Sequence, residues 1–502
     1  MINATPLVSL ACLPRQKAVE RYAREAERIQ LKVLARLIGK AAGTEYGRSH
    51  GFFPGMDYAH FAAAVPVNTY EELKGDIERM RLGAESVLWP GKVRHFARSS
   101  GTTSDRSKFI PVTDDGLKDT HYAGGFDSVA LYLRSYPHSR IFSGKGLILG
   151  GSFAPEFCNE HSRSGDLSAV LIDNVSPFVN HYRVPSREIA LLSDFEEKRQ
   201  RIAASILSEK VTNLSGVPSW MMSVLEKVLE LSGKDDISEV WPSLEVFFHG
   251  GVAFTPYRER YRSMISSPGM HYMETYNASE GFFGIQDDPL DRAMLLMIDY
   301  GVFYEFIPME EFMSGDLSGV VPLWGITPGV NYAMVITTSG GLWRYLIGDT
   351  VIFTSRDPYK FIISGRTKNF INALGEEVIV DNAEKAIKAA CEATGADVRE
   401  YTAAPLFASD GKGFVHQWLV EFRKEPSSLK AFTEALDKEL RAVNSDYDAK
   451  RSKDIVMQMP QVLVARKDLF DDWLASRGKL GGQHKVPRLC NDRKIMDELL
   501  KV

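Results

Sequence analysis

Between Ser99 and Lys108 the chain reads "SSGTTSDRSK": six hydroxyl side chains, one glycine, Asp105 and two cations, Arg106 and Lys108. Placed after the β-rich run "VRHFAR", such a loop can offer backbone N–H groups and hydroxyls to several phosphate oxygens while the cations neutralise charge. Taken alone, the stretch fits a solvated Ser/Thr-rich turn equally well. It is not a Walker A loop, because the Gly-Lys-Ser/Thr ending is missing. Asp105, three before Lys108, also excludes the Ser-x-x-Lys spacing of penicillin-binding enzymes.

Three later segments add to it. "FFHGGVAF" sets Gly250 and Gly251 after a β-rich run, where backbone can approach a flat ring. "ETYNASEGFFG" gathers Tyr276, Ser279 and Glu280 around a turn: an aromatic, a hydroxyl and a carboxylate able to bind Mg²⁺. "GGLWRYLIGDT" presents Asp349 just past another β-rich run, and 16 residues later Gly365-Arg366 opens "GRTKNF", so an acid and a base can both reach a ribose. Each segment alone reads as an ordinary turn.

These groups need a scaffold, and the pattern supplies one. From Arg15 to Lys40 apolar residues recur at Val19, Tyr22, Ala26, Ile29, Val33 and Leu37, one face of a packing helix. Between about residues 85 and 350 the β-rich runs "KGLILGG", "LEVFFHGG" and "NYAMVITT" alternate with helical stretches such as "SREIALLSDFEEKRQRIAASILSE", the pattern of an α/β domain. Past "SGRTKNF" the texture changes to a small α+β region: "VDNAEKAIKAACEAT" and "LKAFTEALDKELRAV" as helices, "GFVHQWLVEF" as a strand, "QVLVARKDLFDDWLAS" as strand then helix. The expected division is a large domain over residues 1–365 and a small one over 366–502, joined by a hinge near 365–370.

Composition narrows the partners. In 502 residues, 60 Lys and Arg stand against 65 Asp and Glu without long runs of one sign, which points away from nucleic acid and anionic membranes and toward small molecules. The four cysteines, Cys12, Cys158, Cys391 and Cys490, form no Cys-x-x-Cys pair, which argues against a disulfide framework or structural zinc and fits a reducing cytoplasm. No segment reaches the ~20 uninterrupted apolar residues of a membrane span, and the N-terminus lacks the basic region of a signal peptide.

Read in order, the chemical segments resemble the adenylate-forming superfamily of acyl-CoA synthetases, peptide-synthetase adenylation domains and luciferases. Within it the chain is most similar to the Gretchen Hagen auxin-responsive family of acyl-acid amido synthetases. "SSGTTSDRSKFIP" corresponds to that family's Ser-Ser-Gly-Thr loop ending in Lys, "YNASEGFFGI" to its Tyr-x-x-Ser-Glu segment, and "TTSGGLWRYLIGDTV" to its Arg-Tyr-Arg-x-Gly-Asp strand-turn. "PSLEVFFHGG", "YEFIP" and "HKVPR" also sit where the family has similar phrases, so the likeness runs from about residue 85 to the C-terminus.

The resemblance implies a large adenylate-forming domain with mixed sheets and flanking helices, followed by a small mobile domain that rotates between half-reactions. It implies a ligase that uses Mg²⁺ and ATP to turn a small carboxylic acid into acyl-AMP and pyrophosphate, then passes the acyl group to an amine, typically of an amino acid. Carried over residue by residue, Ser99, Ser100, Gly101, Thr102, Thr103 and Lys108 would cradle phosphates, Gly250 with Tyr276 would frame the adenine, and Gly251 and Asn277 would belong to the same nucleotide-binding site. Ser279 would face the α-phosphate, Glu280 would hold the metal, and Asp349 with Arg366 would bind the ribose. Lys368 on the hinge would reach the phosphates. Of the two C-terminal lysines in "GKLGGQHKVPRL", Lys485 is preferred over Lys479 for adenylation, because Pro487 stiffens its neighbourhood.

The pattern also departs from the family's. Ser104 and Asp105 stand where the family's loop usually has glycine; Asp105 is expected to point away from a triphosphate or to pair with Arg106. Asn277 replaces another glycine, and Asn tolerates positive φ. Tyr122, Phe126, Trp220 and Met221 are candidate apolar walls for the acid, with core packing the competing role. Two rival activities remain: the same adenylation with a thiol such as coenzyme A as acceptor, or a nucleotide-binding protein that no longer catalyses.

Overall fold

The computed structural model of the chain describes residues 3–99, 108–251, 254, 257–367, 370–371, 376, 378–407, 414–444, 447–448, 451, 457–477, 485–490 and 492–501. They form two compact units. One takes the described residues of Met1–Ile347 and Ile352–Ile362; the other takes those of Gly348–Val351, Ile363–Leu480 and His484–Val502.

The amphipathic N-terminal stretch is two helices, Thr5–Glu20 and Tyr22–Ala41, joined at Arg21. Val19, Tyr22, Val33 and Leu37 are buried as their spacing predicts. Gln30, fully buried on the same face, donates to the carbonyls of Ile298 and Val302 and accepts from the Tyr304 N–H, so a polar residue seats this helix on the sheet.

The strands in chain order are β1 (His95–Ser99), β2 (Lys108–Val112), β3 (Lys145–Ile148), β4 (Arg163–Gly165), β5 (Arg183–Val184), β6 (Val211–Gly216), β7 (Val246–Gly250), β8 (His271–Ala278), β9 (Gly281–Ile285), β10 (Met294–Leu296), β11 (Val302–Pro308), β12 (Val321–Pro322), β13 (Asn331–Thr338), β14 (Tyr345–Arg356) and β15 (Tyr359–Arg366). A mixed sheet runs β12-β11-β13-β14-β15-β10-β9-β8-β7-β6-β3-β5, and β2-β1-β4 forms a separate small sheet. The segment β5-β3-β6-β7-β8 is parallel throughout. Val246–Gly250 is buried along its whole length, as a central strand of a parallel sheet must be; its neighbours carry polar residues, among them Asn213 of β6 and Glu274 of β8. The helices Phe195–Ile206 and Pro218–Ser232 cover one face, and their apolar sides meet Phe247, Phe254 and Tyr261 in one core.

The C-terminal unit has its own core. The strands β18 (Asp397–Phe407), β19 (Phe414–Lys424) and β20 (Gln461–Val464) form its three-stranded sheet; a short hairpin, β16 (Phe370–Ile371) with β17 (Val378–Ile379), precedes it. The helices Val380–Thr394 and Leu429–Val443 pack Ala386, Phe432, Leu436 and Leu440 against Tyr401 and Trp418. The segments expected as helices and strands here adopt those states. The strand Asp397–Phe407 was not expected from the sequence, because "VRE" at its start breaks the apolar alternation. Arg399 there pairs with Glu421, and Glu400 pairs with Arg488.

Candidate active site

The carboxyl ends of β3, β6, β7 and β8 lie along one edge of the large sheet, since Ile148 pairs with Ser215, Gly216 with His249, and Gly250 with Thr275. Ligands in open parallel sheets bind outside this edge. Glycine terminates β6 and β7 here for steric reasons. A Cβ on Gly250 would stand 2.3 Å from the Thr275 carbonyl oxygen, and Gly251 has φ of +79°. Residues 250 and 251 therefore add no side chain of their own at the strand end, where Thr275 and Asn277 already crowd Gly250.

Next to it, β8 and β9 form a hairpin whose two-residue turn is Ser279-Glu280, between the paired Ala278 and Gly281. Ser279 is buried and Glu280 half-buried. Tyr276 is buried among Phe283 and Phe361, with ring centroids at 5.0 and 6.0 Å. Asn277 corrects an expectation: it lies in β8 with negative φ, paired with Phe282, and the irregularity falls as a bulge between Tyr276 and Asn277. A strand bulge re-aims side chains without a left-handed residue.

The Ser/Thr-rich segment joins β1 to β2, which pair antiparallel with Ser99 opposite Lys108. A linker would leave its ends apart; these are held at neighbouring positions. Ser100, Gly101, Thr102, Thr103, Ser104, Asp105 and Arg106 lie outside the described residues. Lys108 has its ammonium 5.6 Å from the Tyr70 ring, and Tyr70 accepts the Phe109 N–H at 2.9 Å. On the far side of β1, Ala97 pairs with Gly165 of β4.

The candidate acyl-pocket residues occupy two places. Tyr122 closes a π-helical turn, Leu117–Tyr122, ahead of the helix Ala123–Ser135; π turns recur at functional sites. Its hydroxyl donates to the Leu171 carbonyl at 2.9 Å, and burial pushes the phenol up to about 12. Phe126, one turn on, is exposed. This helix packs on β9 so closely that a Cβ on Gly124 would overlap the Phe282 ring. Trp220 and Met221 follow β6; Met221 is fully buried and Trp220 nearly so, both in the apolar core under the sheet. Two buried imidazoles flank these groups in sequence. Burial takes His121 down to about 4 and His249, stacked 4.0 Å from Phe254, down to about 3, so both are neutral at physiological pH.

Asp349 belongs to the C-terminal unit. It is buried in β14 directly after Gly348, whose φ is +93°, and the Thr367 N–H donates to the Gly348 carbonyl at 2.8 Å. Thr350 accepts from the Ser364 hydroxyl at 2.9 Å, so residues 348–350 are tied to the end of β15, where Arg366 is the last residue. Lys485 is exposed on the segment after residue 484. Lys368 and Lys479 lie outside the described residues. Among the described residues no group of three or more His, Cys, Asp or Glu side chains could hold a metal. A lone carboxylate at a turn, as Glu280 is, is compatible with the Mg²⁺ mode that takes one or two protein carboxylates and completes its shell with phosphates and water.

Sequence reading passed over Gly150-Gly151 at the end of β3, although "ILGGS" carries the same signal as "FHGG". It also passed over Lys198, which donates to both of those glycine carbonyls, and the buried Glu305–Arg344 pair.

Comparison with known proteins adds an independent line. Three profiles of one family match in order: the GH3 family N-terminal domain over residues 15–270, the GH3 family central domain over 295–366 and the GH3 family C-terminal domain over 381–494. The chain is 24% identical to indole-3-acetic acid-amido synthetase GH3.4 of Arabidopsis thaliana, covering 98% of this chain and 94% of that protein. It is 23% identical to jasmonoyl–L-amino acid synthetase GH3.5 of Oryza sativa subsp. japonica, covering 94% of each. Among solved structures it is similar to the GH3.15 acyl acid amido synthetase in complex with 2,4-DB, with a TM-score of 0.79 and 19% identity over 98% of this chain and 96% of that one. A 2-hydroxyisobutyryl-CoA ligase shares the fold more loosely, with a TM-score of 0.55 and 13% identity over 94% and 90% of the two chains.

Proposed function

Because the chain belongs to the GH3 family, we infer that it is an acyl-acid amido synthetase, a ligase that activates a carboxylic acid as its adenylate and joins it to the amine of an amino acid. The observation that carries the reading is the sheet edge, where the Gly250-Gly251 backbone, the Tyr276 ring and the Ser279-Glu280 turn occupy adjacent strand ends.

In the first half-reaction a carboxylate oxygen attacks the α-phosphorus of ATP and pyrophosphate leaves. Two anions must meet, so the chain's task is to offset charge at fixed positions. We assign the phosphates to the β1–β2 hairpin, with Ser99 and Lys108 at its mouth and Ser100, Gly101, Thr102 and Thr103 in its loop. The adenine goes to Gly250, Gly251 and Tyr276 beside Asn277, and the α-phosphate to Ser279. Asp349 takes the ribose hydroxyls, supported by Arg366. Mg²⁺ on Glu280 would supply positive charge to the departing pyrophosphate. Lys485 is assigned to the adenylation step and Lys368 to the phosphates, with a small domain from residue 366 that turns about a hinge at 365–370 between half-reactions. In the second half-reaction the amine attacks the acyl carbonyl and AMP leaves. Tyr122, Phe126, Trp220 and Met221 are assigned to the acid.

No helix of the described residues is long and apolar enough to cross a membrane, and the four cysteines are free. Both fit a cytoplasmic enzyme acting on dissolved substrates.

The test is pyrophosphate release from Mg-ATP across a panel of acids that includes indole-3-acetate, jasmonate and 2,4-DB, followed by addition of amino acids or coenzyme A. Release with an acid and conversion to an amide supports the reading. Thioester formation in place of the amide replaces the acceptor, and ATP binding without release on any acid overturns the enzymatic reading.

A further inference from the structure

The parallel strands stand in the order β5-β3-β6-β7-β8, so the chain builds outward from β3 first to one side and then to the other. The crevice between the carboxyl ends of β3 and β6 is the switch point of the sheet, the place where α/β folds bind ligands. The segment that leaves β3 at this crevice is Leu149–Ser152, and its bend is held on three sides. The Lys198 ammonium donates to the Gly150 carbonyl at 2.6 Å and the Gly151 carbonyl at 3.0 Å. The Ser168 hydroxyl accepts the Gly151 N–H at 2.8 Å, and Asp166 accepts the Ser152 N–H at 3.0 Å. Gly151 leaves no room for a side chain, since a Cβ there would stand 1.7 Å from Asp166 Oδ2 and 2.5 Å from Asp166 Cβ; at Gly150 a Cβ would press on the tip of Ile172, 2.5 Å from Cδ1.

Lys198 is 4% exposed. Burying an ammonium is unfavourable unless its partners are fixed, and here they are two main-chain carbonyls with the Asp166 carboxylate nearby. What this arrangement secures is the shape of the bend. On one side Leu149 packs with Met221 around Gly216, at the foot of the helix that carries Trp220. On the other, Asp166 and Ser168 open the helix Leu167–Asp173, whose Leu171 carbonyl receives the Tyr122 hydroxyl. The bend therefore lies between the two segments assigned to the acid.

Resting on the function proposed above, we propose that Lys198 is a positioning residue that fixes the Gly150–Ser152 bend as a wall of the carboxylic-acid site. Lys198 does not touch the reacting atoms; it acts through the two carbonyls it holds. The test measures pyrophosphate release with the fastest acid of the panel, varying acid and ATP separately, for wild type, Lys198→Met and the milder Ser168→Ala. The expected result is a rise of at least tenfold in KM for the acid in Lys198→Met and about twofold to fivefold in Ser168→Ala, as the loss of one hydrogen bond gives. KM for ATP should stay within about twofold in both. A purely structural role would lower kcat with the folded fraction and leave both KM values unchanged; that result, in Ser168→Ala if Lys198→Met does not fold, overturns the inference. Wild type without pyrophosphate release on any acid would instead overturn the function on which it rests.

Discussion

Glu305→Ala is expected to be among the most damaging single substitutions in the larger unit. Glu305 on β11 and Arg344, just before β14, form a bidentate pair: Nε reaches Oε2 and Nη2 reaches Oε1, both at 2.9 Å. Their side chains are 1% and 8% exposed. Arg344 also donates Nη1 to the carbonyls of Ala62 and Val65, at 3.0 and 2.8 Å, and holds φ of +42°. Alanine at 305 leaves a buried guanidinium with its charge uncompensated and removes the acceptor of the Tyr58 hydroxyl. Breaking a buried pair in this way costs about 3–5 kcal/mol. With a urea slope of about 3 kcal/mol/M, the midpoint should fall by roughly 1 M or more. Trp343, fully buried beside the pair, makes tryptophan fluorescence a suitable probe. Glu305→Gln keeps one acceptor for the fork and should fall between the two. A midpoint for Glu305→Ala within about 0.2 M of wild type would mean that water reaches the pair, and the burial argument would fail.

Gly250→Ala forces a methyl group against the Thr275 carbonyl and should cost about 1–3 kcal/mol, with loss of ATP binding measured by calorimetry; unchanged affinity would remove residue 250 from the nucleotide site. Burial lowers the Lys198 ammonium from 10.5 to about 8. Across that window the folded state binds fewer protons than the unfolded chain, so this group makes stability rise with pH. The stability of wild type minus that of Lys198→Met should therefore increase between about pH 8 and about pH 10 in urea titrations, and a flat difference would contradict the burial assignment. Asp349→Ala should abolish pyrophosphate release with an unchanged circular dichroism spectrum. Lys485→Ala should slow adenylation at least tenfold while sparing aminolysis of added acyl-AMP; equal losses in both steps would reject that assignment.

The parts of the site that were legible in the sequence are those whose chemistry is local. "SSGTTSDRSK" shows its hydroxyls and its cations within ten residues, and "YNASEG" shows a turn with a carboxylate in it; the structure makes the first the connection of a paired hairpin and the second a β8–β9 turn. Amphipathic helices such as Leu429–Val443 are legible for the same reason, since their period is written in consecutive residues. What was not legible depends on partners distant in sequence. Glu305 and Arg344 are 39 residues apart, and Lys198 finds its carbonyls 48 and 47 residues earlier. A lysine in "FEEKRQRIAASI" reads as one more solvated charge until the fold brings Gly150 beneath it. Gln30 reads as one more solvated polar side chain until β11 comes to meet it. The Asn277 expectation failed because a turn motif was assigned a left-handed residue where a strand bulge serves.

In the proposed reaction the acid is activated on the α-phosphate of ATP before an amine takes it. Its most direct test uses an active acid labelled with ¹⁸O in both carboxylate oxygens, with Mg-ATP and an amino acid, and mass spectrometry of the products. The expected products are AMP carrying one ¹⁸O and an amide retaining the other. Label in inorganic phosphate with ADP as co-product, or AMP without label, would contradict it.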